Sequence, residues 1–145
     1  MNSVLYQFLN EPYNLKVKWM EAENRVEELR ASMLPCAMRY DKDRVMASPD
    51  DPMIKYAERL EPLERKAMDL FTEYCRSRTQ VEEALKVLTH KQRKVMQMKY
   101  FSRLSNRSVA DALGISSREV MKLCERAYDS LLIEVLRSPL KYVIV

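Results

Sequence analysis

A single glycine in 145 residues is the feature that most constrains the fold of this chain. Glycine supplies the positive φ values that tight hairpins and bulges need, so an all-β chain with one glycine would be hard to build. The composition is 47% hydrophobic and 32% charged, which supplies enough apolar material for a core and is not typical of a disordered chain. We therefore predict an all-α protein.

The N-terminal part has a helical apolar pattern. We predict an N-terminal helix within residues 1–34, with Pro12 at its start, where a missing N–H costs little. The first ten residues would form a short separate helix or an apolar arm. Apolar residues with alternating spacings of four and three form one narrow stripe along this helix. They are Leu15, Trp19, Ala22, Val26, Leu29 and Met33.

A loop and a second long helix are predicted next. Residues 35–52 contain three prolines and no sustained periodicity, which is typical of a loop. Residues 53–88 carry a heptad-like seam that Pro62 interrupts, either by starting the helix proper or by kinking it. Each long helix has a narrow apolar seam that needs a partner. Packing together as an antiparallel hairpin and pairing with a second copy as a coiled-coil homodimer both satisfy the pattern.

Cap signals divide residues 89–137 into three shorter helices. Thr89 fits the N-cap of the first, Ser105 or Asn106 that of the second, and Ser116 that of the third. The remaining residues, 138–145, are predicted to be a tail.

The single glycine lies between the second and third of these helices. Gly114 follows the last residue of a helical pattern, as a left-handed C-cap does. Ala110 is small enough for two helices to cross closely, and Ile115 can fill the turn between them. Two helices joined in this way form a helix-turn-helix. An ordinary helical hairpin is the alternative.

Basic residues are concentrated in the same segment. Residues 89–137 contain ten Lys and Arg against five Asp and Glu, whereas residues 1–88 contain fourteen against sixteen. Such an excess is expected for a segment that contacts phosphate. We therefore predict double-stranded DNA as its partner.

In a helix-turn-helix, the third helix would enter the major groove with its N-terminus first. The side chains expected at base edges or adjacent phosphates are Ser117, Arg118 and Lys122. Those expected on the phosphate backbone are Arg103, Ser105, Asn106, Arg107 and Arg126. Four further cations would widen the footprint: Lys91, Arg93, Lys94 and Lys99.

No sequence pattern indicates an enzyme, a metal site or a cofactor. His90 is the single histidine, and Cys36, Cys75 and Cys124 lack the spacing of metal ligands. We expect the three thiols to be buried in a reducing cytoplasm. No apolar run approaches the ~20 residues that span a bilayer. The predicted location is cytoplasmic, at the nucleoid.

The stretch from Leu88 to Leu132 resembles region 4 of bacterial sigma factors, which recognises the −35 promoter element. The residues in common are Arg93, Val95, Tyr100, Val109, Ala110, Leu113, Gly114, Ile115, Ser116, Val120, Arg126, Ala127 and Leu132. Two long helices, a loop between them like residues 44–49 (Arg-Val-Met-Ala-Ser-Pro) and the sigma-like C-terminal part also occur together in a second group of proteins. The chain as a whole resembles this family of phage- and prophage-encoded proteins of Gram-positive bacteria. Relatives in that family include activators of late or packaging genes, so the resemblance implies a transcription regulator.

Two other functions fit the same elements. Small terminase subunits, which recognise DNA for packaging, also join a helix-turn-helix to helical oligomerisation. A helical adaptor would use these helices to bind RNA polymerase or another protein without touching DNA. No segment resembles sigma region 2, so we do not expect independent initiation.

Overall fold

The computed structural model describes residues 2–40 and 51–137, with side chains for residues 2–33 and 51–137. These residues form five α-helices and no strand, which confirms the all-α prediction. The helices are α1 (Ser3–Tyr40), α2 (Pro52–Leu85), α3 (His90–Tyr100), α4 (Asn106–Leu113) and α5 (Ser117–Arg137). None of the described helices has the length and apolarity needed to cross a membrane. The predicted tail lies outside the described residues.

The start of α1 differs from the prediction. The helix begins at Ser3 and not near Tyr13, so the first ten residues form neither a separate helix nor an arm. Pro12 lies inside the helix, where it removes one backbone hydrogen bond. It is fully buried and lies between the buried residues Leu9 and Leu15. Burial of this apolar stretch offsets the lost hydrogen bond.

The predicted loop at residues 35–52 is wrong in its first part, because α1 continues through Pro35 to Tyr40. A proline in a helix removes one backbone hydrogen bond and leaves those of neighbouring turns intact. The presence of Pro35 was therefore not sufficient evidence that the helix ends there. The middle of the predicted loop, residues 41–50, lies outside the described residues.

The second long helix, α2, begins with a proline and contains another. Pro52 occupies a first-turn position, where its missing N–H has no helical partner to lose. Asp51 precedes it, and its Oδ1 accepts a hydrogen bond of 2.9 Å from the N–H of Met53. Pro62 lies inside the helix, so it does not start it. The helix ends at Leu85, slightly before the predicted end.

The chain divides into two compact units. The described residues within Leu15–Glu73 form one unit, which we call the hairpin unit. The described residues within Met1–Asn14 and Tyr74–Val145 together form the other, which we call the split unit. The predicted segmentation did not anticipate that the first residues of the chain join the C-terminal ones.

In the hairpin unit, parts of α1 and α2 pack side by side. Ala22, Val26 and Ala67 form a buried cluster between them. The ring centroids of Trp19 and Phe71 are 4.9 Å apart, and Arg30 forms an ion pair with Glu64 farther along. Because the contacts advance along α1 while they go back along α2, the two helices are antiparallel. The hairpin alternative is therefore realised within the chain.

In the split unit, the first turns of α1 complete a core that is otherwise built from residues far along the chain. Leu5, Phe8 and Leu9 are each at most 3% exposed. Their buried neighbours come from the end of α2, from the turn after it, from α3 and from α5: Val81, Ala84, Leu85, Leu88, Met96, Tyr100, Ala127, Leu131 and Val135. The N-terminal segment is thus part of this core.

The prediction that the thiols are buried is correct for Cys124 and wrong for Cys75, which is exposed. Cys75 follows Tyr74, a residue of the apolar seam, and therefore lies beside the buried face of α2 and not on it. The side chain of Cys36 lies outside the described ones.

We expect Leu9→Ala to lower the free energy of unfolding by about 2–5 kcal/mol, because it removes a fully buried side chain and leaves a cavity. Urea unfolding followed by circular dichroism measures this change. Gln7→Ala is the matched control, since Gln7 is exposed on the same helix. A small effect of both substitutions would show that the start of α1 does not contribute to the core.

Candidate nucleic-acid interface

The predicted N-caps of α3 and α4 are present. The Thr89 side chain accepts a hydrogen bond from the N–H of Gln92 at 3.4 Å, and the Gln92 side chain accepts one from the N–H of Thr89 at 3.3 Å. These two bonds form a complete capping box. At α4 the cap is Ser105, whose Oγ accepts a hydrogen bond of 3.2 Å from the N–H of Ser108.

The turn between α4 and α5 has the predicted geometry. Gly114 has φ 68° and ψ 32°, which is the left-handed conformation. The N–H of Ile115 then donates to the carbonyl of Ala110 at 3.1 Å, a bond that typically closes a helix C-terminus. On the other side of the turn, Ser116 Oγ accepts a hydrogen bond of 3.2 Å from the N–H of Glu119. This turn directs the start of α5 out of the core.

A second buried cluster joins α3, α4 and α5 beneath the turn. Its members are Val95, Val109, Ala110, Val120 and Cys124. Ala110 is buried, as predicted for a position where two helices approach closely. Three helices held by this cluster form a helix-turn-helix with α5 in the position of the recognition helix.

The first turns of α5 present a polar face to solvent. Ser117, Arg118 and Lys122 are exposed there, and Arg126 is exposed one turn farther along. On the opposite face Val120 is completely buried. The structure thus leaves all four α5 residues predicted from the sequence accessible.

The predicted site residues around the start of α4 have different environments. Arg107 is exposed. Ser105 serves as the N-cap, and its hydroxyl also lies 3.1 Å from that of Ser108. Asn106 is half-buried, and its Oδ1 is buried without a hydrogen-bond partner in the described part of the chain. Arg107 is therefore the accessible cation of this group, whereas Ser105 is used by the fold.

Arg103, which was predicted to contact phosphate, is exposed, but its side chain already contacts two residues of α1. Its Nη1 donates a hydrogen bond of 2.7 Å to Oδ1 of Asn10. Its guanidinium also lies over the ring of Tyr13, 4.1 Å from the centroid. Nothing local in the sequence indicates these contacts, because the partners are about 90 residues away on α1.

Two of the four additional cations on α3 also have contacts within the protein. Lys99 is half-buried, and its ammonium lies 6.0 Å from the centroid of the Tyr100 ring. Arg93 donates hydrogen bonds of 3.1–3.2 Å to three backbone carbonyls, that of Leu85 at the end of α2 and those of Lys86 and Leu88 in the turn that follows. Arg93 therefore links the end of α2 and this turn to α3.

The other two cations, Lys91 and Lys94, face a groove that α3 shares with α5. The groove has a volume of about 460 Å³. Its lining residues are His90, Lys91, Lys94, Leu113, Ile115, Glu119, Lys122, Leu123 and Arg126. Four cations from two helices thus converge around an apolar floor, with Glu119 as the single carboxylate. The sequence showed these cations separately and did not show their convergence.

Residues 78–131 match the family model of sigma-70, region 4. This segment is a sigma-region-4-like helix-turn-helix domain, and its match supports a DNA-binding regulator. No curated protein and no solved structure matches the chain. We refer to residues 78–131 as the region-4 module. The module begins in the last turns of α2, and the hydrogen bond from Arg93 to the Leu85 carbonyl joins the end of α2 to α3.

The exposed cations of the region-4 module are not neutralised by neighbouring carboxylates. Arg107, Arg118, Lys122 and Arg126 form no ion pair within the described part of the chain, where the ion pairs involve Arg30, Arg65, Arg78 and Lys86. An exposed cation without a partner is available to a phosphate or a base edge.

The interior of the module contains polar groups that stay neutral. The hydroxyls of Tyr100 and Tyr128 are 2.7 Å apart and link α3 to α5. Burial raises the pKa of both tyrosines, and burial also raises the pKa of the Cys124 thiol, so all three are uncharged at pH 7. No group of three or more His, Cys, Asp or Glu side chains among the described residues is arranged to hold a metal ion.

We expect Gly114→Ala to lower the free energy of unfolding by about 1–2 kcal/mol, because a Cβ disfavours the left-handed conformation. A Cβ at Gly114 would meet nothing within 4 Å, so the cost is conformational and not steric crowding by neighbours. Thermal and urea unfolding measure it. Gly114→Asn is the control, since Asn adopts this conformation more readily. Equal losses for Ala and Asn would contradict this explanation.

Proposed function

We propose that this protein is a sequence-specific DNA-binding transcription regulator of the phage type. In this proposal the start of α5 enters the major groove. The observation that carries it is the exposed face of α5, where Arg118, Lys122 and Arg126 have no ion-pair partner in the described residues, within a module similar to sigma-70 region 4. An αα-hairpin with only a structural role gives no reason for such a face.

The residues proposed to read bases lie in the first two turns of α5. Arg118 can donate two hydrogen bonds to one guanine, and such a pair contributes about 1–3 kcal/mol of discrimination. Lys122 lies one turn farther on the same side, and Ser117 offers a hydroxyl at the tip. Met121 is 53% exposed beside them and can contact a thymine methyl group.

The residues proposed to hold the phosphate backbone flank α5 on two sides. Arg107 lies at the start of α4, beside the half-buried amide of Asn106. Lys91 and Lys94 lie across the groove from Arg126. Phosphate contacts of this kind fix the position of the protein on the duplex and carry little sequence information. The charge of Arg103 and the hydroxyl of Ser105 support the proposal less, because both already have partners within the chain.

Selection of binding sites from random duplex DNA, followed by a salt series, tests the proposal directly. The logarithm of the binding constant should fall linearly with the logarithm of salt concentration, with a slope of about −0.9 for each phosphate contact. If the wild-type protein binds no duplex at low salt, the DNA-binding proposal is wrong. Recovery of RNA polymerase with the protein in that case would support the adaptor.

We expect Arg118→Ala and Lys94→Ala to weaken binding in different ways. Loss of Arg118 should cost about 1–3 kcal/mol on the selected site and relax the preference at one base pair. Loss of Lys94 should weaken all duplexes similarly and reduce the salt slope by about one. Fluorescence anisotropy on selected and random duplexes measures both effects.

Arg65→Ala is the control for this pair, because Arg65 is exposed on α2 and pairs with Glu61 outside the region-4 module. Its DNA affinity should equal that of the wild type. If Arg118→Ala weakens selected and random duplexes equally, then Arg118 contacts phosphate and does not read a base.

The phage-type part of the proposal concerns which genes are controlled. The resemblance to activators of late or packaging genes leads us to propose control of that gene class. A reporter driven by a promoter that contains the selected site gives the direction of regulation. A selected site upstream of terminase genes would support this assignment, and sites confined to unrelated genes would oppose it.

We also propose that the protein forms a homodimer through the hairpin unit. Among its described residues, a cluster of three buried side chains lies between the two helices, and a groove of about 480 Å³ lies beside Trp19. Met68 and Phe71 line this groove and are 63% and 39% exposed. Covering these side chains with the same face of a second copy would remove their apolar surface from water.

We expect Met68→Glu to convert a dimer into a monomer, because it places a charge on the apolar groove. Light scattering should give about twice the chain mass of 17.2 kDa for the wild type and the single mass for the variant. Lys66→Glu adds the same carboxylate outside the groove and should remain dimeric. A monomeric wild type would refute the homodimer, and a large ring would favour the packaging subunit over the regulator.

A further inference from the structure

The turn between α3 and α4 depends on the backbone conformation of Arg103. Its φ is +56°, and it is the single non-glycine residue with a positive φ among the described residues. Residues with a Cβ rarely adopt this left-handed conformation. Two backbone hydrogen bonds close the turn, from Ser102 N–H to the Gln97 carbonyl at 3.2 Å and from Leu104 N–H to the Met98 carbonyl at 3.0 Å. The second bond spans Arg103, so it requires that conformation.

Two residues of α1, Asn10 and Tyr13, hold the Arg103 side chain in place. Asn10 is buried, and its Oδ1 accepts the hydrogen bond from Arg103 Nη1. Its Nδ2 donates a hydrogen bond of 2.8 Å to the carbonyl of Tyr6, which fixes the orientation of the amide. The ring of Tyr13 lies against the guanidinium, where a cation is attracted to the aromatic face. We call the contacts of Asn10 and Tyr13 with Arg103 the clasp.

The clasp is fixed on the side of α1. Leu9 and Pro12, which flank Asn10, are fully buried in the split unit. By contrast, Ser102 and Arg103 are exposed in a short connection between helices. Because one side of the clasp is anchored in the core and the other lies in a turn, the clasp restrains the turn.

We propose that Asn10 and Tyr13 are positioning residues for DNA binding, a role that rests on the proposed function. By holding the side chain of Arg103, they stabilise its left-handed backbone. That conformation fixes the position of Ser105, the N-cap of α4. The position of α4 in turn determines the geometry of the helix-turn-helix. The N-terminal segment thus takes part in DNA binding without touching DNA.

A phosphate-contacting Arg103 leads to the opposite expectation. In that case Asn10 would compete with phosphate for the guanidinium, and Asn10→Ala would release the side chain and strengthen DNA binding. In the positioning role, Asn10→Ala loosens the turn and weakens binding. The sign of this one effect separates the two roles.

The experiment compares Asn10→Ala, Arg103→Ala, Arg103→Gly and the double variant N10A/R103G. Asn14→Ala is the matched control, because Asn14 is exposed on the same helix. Anisotropy on a selected duplex gives the affinity. Hydrogen exchange of the Ser102 and Leu104 amides reports the turn without DNA, and circular dichroism verifies that each variant is folded.

Asn10→Ala and Arg103→Ala should each weaken DNA binding about tenfold, as expected for the loss of a hydrogen bond to a charged group. Both should also speed exchange at Leu104. Arg103→Gly should restore most of the affinity lost in Arg103→Ala, because glycine adopts a positive φ without a Cβ penalty. Adding Asn10→Ala to Arg103→Gly should then have no further effect.

Two results would overturn the positioning role. One is unchanged exchange at Ser102 and Leu104 in Asn10→Ala, which would show that the clasp does not hold the turn. The other is equal weakening by Arg103→Gly and Arg103→Ala with no loss in Asn10→Ala, which would make Arg103 a DNA contact. A wild type that binds no DNA would refute the proposed function itself, and the exchange data would still decide whether the clasp restrains the turn.

Discussion

The burial of Leu5, Phe8 and Leu9 against the end of α2, α3 and α5 is the interaction on which the split unit depends. The cluster that joins α3, α4 and α5 beneath the turn contains five buried residues, whereas the cluster that includes the N-terminal segment contains twelve. Small domains bury a smaller fraction of their surface than large ones, so each large apolar side chain contributes a greater share of their stability. The helix-turn-helix therefore rests on a core that it shares with the start of the chain.

The positive residues of the region-4 module serve two separate purposes. Arg93 and Arg103 lie at junctions between helices, where the several donors of a guanidinium can satisfy carbonyl oxygens or a buried amide. Arg107, Arg118 and Lys122 lie on exposed faces without such partners. The charge composition of the sequence does not distinguish these two groups of cations. Their partners in the fold separate those that assemble the module from those that remain accessible.

The features predicted correctly from the sequence are those with local causes. A capping side chain and the N–H that it satisfies are three residues apart, as at Thr89, Ser105 and Ser116, so short patterns reveal them. Gly114 indicated the end of α4 for the same reason, because the left-handed φ of a helix C-cap is a property of one residue and can be predicted from its identity. The exposed face of α5 followed from helical periodicity.

The features that were missed have causes outside a local window. Pro12 does not start α1 and Pro35 does not end it, because α1 runs from Ser3 to Tyr40. At Pro12 the lost backbone hydrogen bond is offset by burial of the proline in the core. The clasp between Asn10 and Arg103 joins residues that have no common sequence pattern. The groove that contains Lys94 and Arg126 requires knowledge of how α3 lies against α5. Tertiary contacts such as these determine which of the predicted site residues are accessible.

The shared core also has a consequence for the order in which the protein can fold. Leu5 and Leu131 belong to the same buried cluster, so assembly of this cluster closes a loop that includes most of the chain. Contacts between residues so distant in sequence form slowly, because a large loss of chain entropy precedes them. During synthesis the apolar side of the first turns of α1 emerges from the ribosome long before the residues that cover it. The nascent chain therefore carries an exposed amphipathic segment until α5 has been synthesised. The core beneath the helix-turn-helix can be completed only after the ribosome has translated α5.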